Sequence, residues 1–505
     1  MGIIQRIVNI FKRGQYAMQQ QSLGNITEHP RIAVSQEEYT RVMRNLRYYQ
    51  SKWDDVEYMN SNGDMVERPF NHLPIGRTAS KKIASLVYNE QATITVDKTV
   101  SGADEFVQDV LLNDRFNKNF ERYFESCLAL GGLAMRPYVD GDKIKIAFVQ
   151  APVFLPMRSN TQDVSSAAIV TKTIKSEGQK NVYYTLIEFH EWKSKDEYTI
   201  TNELYRSDNK DRVGDRVPLS ELYEELEEVT TLKGLSRPLF TYLKTAGMNN
   251  KDINSPLGLS IFDNAKSTID FINTTYDEFK WEVKMGQRRV AVPEQIVRTE
   301  FNSRNEKVTV TRKFDPNQNV YDKFDTGNLD SAISITDLTT PIRSDDYIKA
   351  INEGLSLFEM QIGVSAGMFS FDGKSMKTAT EIVSENSDTY QMRNSLVSLV
   401  EQSLKELVIS ICELGSLYEL YSGSIPEMEQ ISVNLDDGVF TDRNSELEYW
   451  TKALASGLVD RKTAIQRALK LTEEEAGQMV KRINNETLAS VNTERDTTDI
   501  EIYGE

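Results

Sequence analysis

After Pro256 the chain carries its most restrictive pattern. Ile261, Ala265, Ile269, Ile272, Tyr276, Phe279 and Val283 step by fours and threes, which places them on one face of a long helix. Asp263, Lys266, Asp270, Asp277 and Lys280 fall on the other side, and Gly286 ends the run. At about 1.5 Å per residue, residues 261–285 reach roughly 37 Å, across a small domain. A second stripe, Ile348, Ile351, Leu355, Phe358 and Ile362, marks a returning helix. It begins near Ser344, a residue suited to cap it, with Asp345 and Asp346 at the positive end of the dipole. The intervening residues read as a small β-rich insert: Arg288–Val292, an alternating strand at Lys307–Lys313, Ala332–Ile335, and a turn at Asp315-Pro316-Asn317. The pattern is a stalk with a knob at its tip, and each apolar stripe must be buried on something. A neighbouring subunit is the expected partner.

On either side of the stalk the organisation is mixed. Helices are expected at Ala79–Val87 and Phe116–Leu130, the latter ended by Gly131-Gly132. Strands are expected at Ala92–Val96, Lys143–Val149, Ala168–Lys175, Tyr183–Phe189 and Tyr198–Tyr205. Beyond a Gly/Ser-rich break at 363–375, Thr378 and Glu381 form a capping box. They open a helix running to about Tyr421, with Leu396, Val400, Leu404, Leu407, Ile411, Leu414 and Tyr418 inward. A strand at Ile431–Leu435 precedes three short helices; Gly457 separates the first two, and Thr472 with Glu475 caps the third. The fold class is α+β, predominantly helical.

Charge narrows the partners. Acidic residues outnumber basic ones, 76 to 59, for a net charge of −17. No basic block appears, so tight, sequence-specific DNA binding is disfavoured, while a wall that a duplex must slide past without sticking remains compatible. No run of eighteen apolar residues would span a membrane. Ile3, Ile4, Ile7, Val8 and Phe11 line one face of a short N-terminal segment, read as docking on a neighbouring surface rather than on lipid. Arg6 stands where myristoylation needs Ser or Thr. Cys127 and Cys412 sit apart in apolar stretches as small core residues, so no disulfide or Cys-based zinc site is expected.

Catalytic residues are scarce. His29, His72 and His190 have no spacing suited to metal ligation or nucleophile activation, and acidic pairs such as Asp54-Asp55 and Glu224-Glu225 read as solvated faces. Gly367 through Ser375 approaches a phosphate-binding loop. It has one residue too many between Gly367 and Gly373-Lys374-Ser375, and it follows a helix rather than a strand. A loop between two helices is the better reading. No cofactor or metal is expected.

The order of helix, knob, returning helix, loop, very long helix and helical cap resembles the portal, or head–tail connector, family of tailed double-stranded DNA phages. The branch it most resembles is that of long, non-contractile-tailed phages of Gram-positive bacteria. The residues that carry the likeness are Ala129 to Lys143 with the following Phe148–Pro156, then Lys377-Thr378-Ala379-Thr380-Glu381-Ile382. Gly457 to Ala464 and Leu471 to Ala476 complete it. The resemblance implies a non-enzymatic dodecameric ring around a channel for double-stranded DNA, held non-specifically. It further implies residence at the portal vertex of the virion, assembly in the host cytoplasm, and docking of the terminase packaging motor, then of a head–tail adaptor. Major capsid and scaffold proteins are further implied partners. By the same analogy 1–260 and 378–440 form the wing, 261–285 and 341–362 the stem, 286–340 the clip, 363–377 the tunnel loop, and 441–505 the crown and tail.

Site residues follow on that basis. Asp270 and Asp277 would line the channel. Ser370, Phe371, Asp372, Gly373 and Lys374 form the loop, where Lys374 and Phe371 would touch the duplex; packing of Phe371 on the adjacent helix is the alternative. Ile261, Ala265, Ile269, Ile272, Phe279, Ile351, Leu355 and Phe358 would meet a neighbouring subunit, so that Ile269→Asp should abolish the ring and spare the monomer. Arg288 and Arg289 would face DNA or bind a partner at the clip, or form salt bridges within the ring. Competing readings are a minor capsid or scaffold protein without a channel, and a nucleotide-hydrolysing packaging protein using Lys374.

Overall fold

The computed structural model describes residues 22–59, 63–89, 91–159, 163–178, 180–286, 290–291, 298–304, 307–313, 336–337, 341–369, 387–435, 443–469 and 476–485. In chain order the first elements are β1 (Ser22–Leu23), α1 (Gln36–Tyr49), a hairpin of β2 (Val56–Met59) and β3 (Met65–Arg68), α2 (Ile75–Val87), β4 (Thr93–Val96), α3 (Ala103–Asn113) and α4 (Phe116–Leu130). Strands β5 (Gly132–Asp140), β6 (Lys143–Gln150), β7 (Phe154–Ser159), β8 (Val164–Glu177), β9 (Lys180–Ser194) and β10 (Glu197–Ser207) follow. Then come β11 (Gly214–Val217), β12 (Val229–Lys233) and β13 (Thr241–Lys244).

Two antiparallel sheets result. One runs β1-β11-β10-β9-β8-β7, with β12 also paired to β10; the other runs β13-β5-β6. Along β8, Ala167 and Ile169 enter one apolar cluster and Ala168 and Val170 another, the alternation of a strand buried on both faces. The largest core is helical. Phe116, Phe120 and Phe124 stack along α4 at centroid distances of 5.4 and 5.7 Å, and α2, α3, β5 and β6 close around them.

The stalk leaves this core through a close backbone approach. Gly131 ends α4 with φ at +96°, and a Cβ there would collide with the Gly258 carbonyl oxygen. The neighbouring Ile261 amide then donates to the Leu128 carbonyl at 3.0 Å. Residues 261–264 form turns, and helix α5 spans Lys266–Met285, starting later than its stripe suggests. The reason is Asp263. Its carboxylate accepts the Ser260 amide at 3.0 Å and is gripped by side chains from outside, which favours a turn over a first helical turn.

The returning helix α6 spans Ser344–Ile362. Ser344 is its first residue, not its cap; Arg343 takes the capping position and its amide donates to Glu282 of α5 at 3.0 Å. Between the two helices, β14 (Val290–Ala291) pairs β17 (Thr336–Asp337), and β15 (Arg298–Arg304) pairs β16 (Lys307–Lys313). The expected strand at Ala332–Ile335 and turn at Asp315-Pro316-Asn317 lie outside the described residues, as do both capping boxes and the N-terminal segment.

Helix α7 is described over Ser387–Leu417. Leu396, Val400, Leu404, Leu407, Ile411 and Leu414 are buried as expected. Tyr418 is not. Glu419 adopts φ +59°, the chain turns, and Tyr421 fills the last inward place, stacked on Phe106 at 4.9 Å. Strand β18 (Ile431–Asn434) then returns to pair β4. Helices α8 (Arg443–Ala455) and α9 (Arg461–Leu469), divided at Gly457, and a helical stretch at 476–485 are the last of the described residues.

α5 and α6 are antiparallel partners. Thr268 donates to Gln361 at 2.8 Å, and Phe279 stacks on Tyr347 at 5.2 Å. The closest approach is at Gly354, where a Cβ would lie 2.7 Å from Ile272 and 3.3 Å from the Phe271 ring. Alanine is the better helix former by about 1 kcal/mol, yet overpacking a tight contact costs about 1–3 kcal/mol. Gly354→Ala is therefore expected to lower the thermal midpoint of the protein, measured by calorimetry, against the trend of exposed Gly→Ala changes.

Candidate functional site

The stalk is fastened to the body by three aspartates spaced seven residues apart on α5 and the turn before it. Asp263 accepts Arg41 Nη1 at 2.6 Å, Asn45 Nδ2 at 2.9 Å and Lys266 Nζ at 2.7 Å. Arg41 also grips Glu38 at 2.8 and 2.9 Å, and Glu38 in turn accepts from Asn249 and Ser255. One polar knot thus joins α1, the 249–255 segment and the root of α5. Asp270 accepts the Tyr48 hydroxyl at 2.8 Å. Asp277 is clamped by both Arg68 Nη atoms at 2.7 and 2.6 Å and by the backbone and side-chain N–H groups of Asn71 at 3.0 and 2.8 Å.

Asp263 and Asp277 stay ionised despite burial. For Asp263 and Asp277 burial alone would raise the pKa. Lys266 and Arg41 outweigh it at Asp263, and Arg68 with the Asn71 donors outweighs it at Asp277, holding that carboxyl at about 2. Burial draws Lys266 below the usual amine range even beside Asp263.

Past this ladder, Arg343 Nη2 reaches Glu282 Oε2 at 2.6 Å and closes the outer ends of α5 and α6 on each other.

The stripe residues have a different destination from the expected one. Ala265, Ile269, Ile272, Ile351, Leu355 and Phe358 belong to the chain's own core, exposed by 8% or less. Ile261 packs against that core from the turn, and Phe279 is half-buried on Tyr347. Most of each stripe is thus buried within the subunit, while Val283 and Ile348, at the outer ends of the two helices, stay exposed. Asp270 and Asp277, expected to face a channel, are engaged inward. Arg288, Arg289, Ser370, Phe371, Asp372, Gly373 and Lys374 lie outside the described residues.

The feet of the 370–386 segment are built with care. Glu359 at the end of α6 is fully buried; its carboxylate accepts the Gly367 amide at 2.8 Å and the Phe369 amide in a shorter bond. Lys82 donates to the Met368 carbonyl at 2.9 Å and lies over the Phe369 ring. On the far side, Ser365 and Thr389 exchange hydrogen bonds. Arg393 carries α7 onto the Leu86 and Leu435 carbonyls at 2.7 and 2.6 Å.

Elsewhere, histidines serve the fold. His29 contacts Glu203 at 3.2 Å, His190 is fully buried with its pKa pulled well down by burial, and His72 rests on the Phe70 carbonyl. Cys127 and Cys412 are buried thiols, and burial pushes the latter's pKa up to about 12. Among the described residues no cluster of acids, His and Cys is placed to hold a metal ion, and no helix is long and apolar enough to cross a membrane.

Arg41, Tyr48, Arg68, Asn71, Glu359 and Lys82 were missing from the expected site. The signal for the first four is the seven-residue spacing of Asp263, Asp270 and Asp277. Acids repeated along one line of an amphipathic helix imply donors opposite them. Nothing in the sequence pointed to Glu359 or Lys82.

Two outcomes follow. Ile269→Asp is expected to unfold the subunit, at a cost of several kcal/mol, rather than release a folded monomer; circular dichroism distinguishes these. Asp277 has a folded-state pKa below the ordinary value near 4, so its stabilisation is present above about pH 4 and lost as pH falls toward 2. Asp277→Asn should lower stability by about 1–3 kcal/mol at neutral pH and flatten the stability profile across that acid range, read from thermal midpoints.

A family model described as phage portal protein, SPP1 Gp6-like, matches residues 28–488. No curated protein matches the chain. Among solved structures, a chain in one titled "Neck of native GTA particle computed with C12 symmetry" is similar at 10% identity. The match covers 77% of this chain and 88% of that one, with a TM-score of 0.40.

Proposed function

Since the chain belongs to the phage portal protein family, its model matched from residue 28 to residue 488, we propose that the ladder-bound helix pair is the stem of a portal ring. The function is the family's: a ring-shaped channel at one capsid vertex through which DNA is packaged, retained and ejected, and onto which the packaging motor and then the head–tail adaptor dock. It is a structural protein of the virion. The observation that carries the stem assignment is the antiparallel α5–α6 pair enclosing residues 287–340, closed at its far end by Glu282 and Arg343.

Twelve copies form the ring, with 286–340 as clip, 363–377 as tunnel loop, and 441–505 as crown and tail. The body on either side forms the wing. Terminase and adaptor dock through the clip, where Arg288 and Arg289 meet them, and capsid and scaffold proteins surround the wing in the host cytoplasm during assembly. Phe371 and Lys374 project from the loop toward the duplex, with the loop's feet held by Glu359 and Lys82. Because most of each stripe is spent inside the subunit, ring contacts fall to the apolar side chains left on the stem's outside. These include Phe271, Val283, Ile348, Leu357 and Met360, exposed by 49, 45, 48, 49 and 68%. A head-to-tail ring buries two different faces of each subunit, and exposed residues on both stem helices provide them.

Negative-stain electron microscopy with a solution mass tests this. Twelve copies of a 57.6 kDa chain give about 690 kDa and a particle with a central hole. A compact monomer at every salt and protein concentration would overturn the ring. Leu357→Asp with Met360→Asp should leave a folded monomer and remove the ring peak from sedimentation profiles. Wild-type rings in that variant would refute the stem interface.

A further inference from the structure

The β2–β3 hairpin has two unlike faces. Its inner face is fixed to the stem: Tyr58 packs against Trp281 at 5.4 Å, and Arg68 lies over the same indole at 4.7 Å while it clamps Asp277. The outer face carries Glu57, Met59, Met65 and Glu67, all exposed. Cross-strand pairing sets Glu57 directly opposite Glu67 and Met59 opposite Met65. Like charges opposite each other on an antiparallel pair are destabilising, and no cation of the described residues pairs with either carboxylate. Among the described residues the two strands form a sheet of their own, with no further strand at either edge. A two-stranded ribbon is marginal alone, and this one is held rigidly by its inner face while its outer face stays acidic and apolar.

The same chain carries a surface of opposite charge. Helices α2 and α4 pack antiparallel, with Tyr88 donating to Asn117 at one end and Arg77 lying 3.6 Å from Glu125 at the other. Arg77 and Lys81 are one turn apart on α2, Lys118 and Arg122 one turn apart on α4, and all four are exposed. Glu121 and Glu125 are the carboxylates beside them, and Glu125 is already occupied by Tyr49 and Arg77.

We infer that the outer face of the β2–β3 hairpin docks on the cationic α2–α4 face of the next copy of this chain. This rests on the ring reading above and adds a second belt of contact to it, in the wing. Head-to-tail closure requires two different complementary faces on one chain, and these two match in charge. Docking relieves the Glu57–Glu67 repulsion by placing Lys81 and Arg122 against it, and it covers the two methionines.

The test uses the full-length chain. Glu57→Lys with Glu67→Lys is expected to lower the ring fraction about tenfold at roughly 0.1 M salt, where charges within about 10 Å still interact. Lys81→Glu with Arg122→Glu should do the same, and a chain carrying all four changes should recover the ring. Rings unaffected by the first pair would sink this inference alone. A wild-type chain that never assembles would sink the ring reading with it. As a measurement independent of folding defects, Met59→Cys with Lys81→Cys on assembled rings should give a covalent ladder of subunits with a short bis-maleimide. Uncrosslinked rings would overturn the placement.

Discussion

A buried carboxylate with a committed donor is a stronger constraint than an apolar stripe, because it fixes direction as well as contact. Asp263, Asp270 and Asp277 apply that constraint along α5 and the turn before it, and the placement of α5 on the body depends on it. Each is met by a different part of the body: α1 with its neighbouring 249–255 segment, the end of α1, and the base of the β2–β3 hairpin. Hydrophobic contact alone would tolerate sliding or rotation of α5 by a fraction of a turn. The ladder does not, since a slip of one residue would leave buried charges on both sides without partners.

This fastening divides the work among the faces of the α5–α6 pair. Apolar residues toward the body and toward α6 stabilise the subunit before any assembly, and what remains outside is available for contact between copies. The same economy governs charge. Of the acidic excess that sets the net charge at −17, several members are consumed internally as anchors, Glu359 included, so they do not contribute bare negative potential to a channel.

The sequence disclosed periodicity well and partnership poorly. Helix α4 was legible to the residue because a phenylalanine stripe and a terminal Gly pair bound it, and β8, β9 and β10 were located by alternation, though each proved longer. Helices α1 and α3 were missed. α1 is rich in charged residues, and its buried positions include Glu38 and Asn45, so its inward face does not look apolar. The α5 and α6 stripes were found, but not that most of their residues pack in the chain's own core. Periodicity states that a face is buried and says nothing of what buries it, and the residues that decided the matter, Arg41, Tyr48 and Arg68, lie some two hundred positions away. Tyr418 and Tyr421 show the same limit at a helix end, where one left-handed residue, Glu419, moved the last inward position outside the helical period.

Strand β18 pairs with β4 and closes the helical core with residues from the far end of the chain. Between them run most of both sheets and the whole α5–α6 pair, as well as core helices α3, α4 and α7. During synthesis, the core lined by α2, α3 and α4 must therefore stand open until residue 434 has left the ribosome, long after its own helices have emerged. Non-local closure of this kind is slow, and in the meantime apolar surface is exposed. A nascent chain of this protein is consequently a natural client for chaperones, and a truncation anywhere before β18 leaves an aggregation-prone remnant instead of a smaller folded domain.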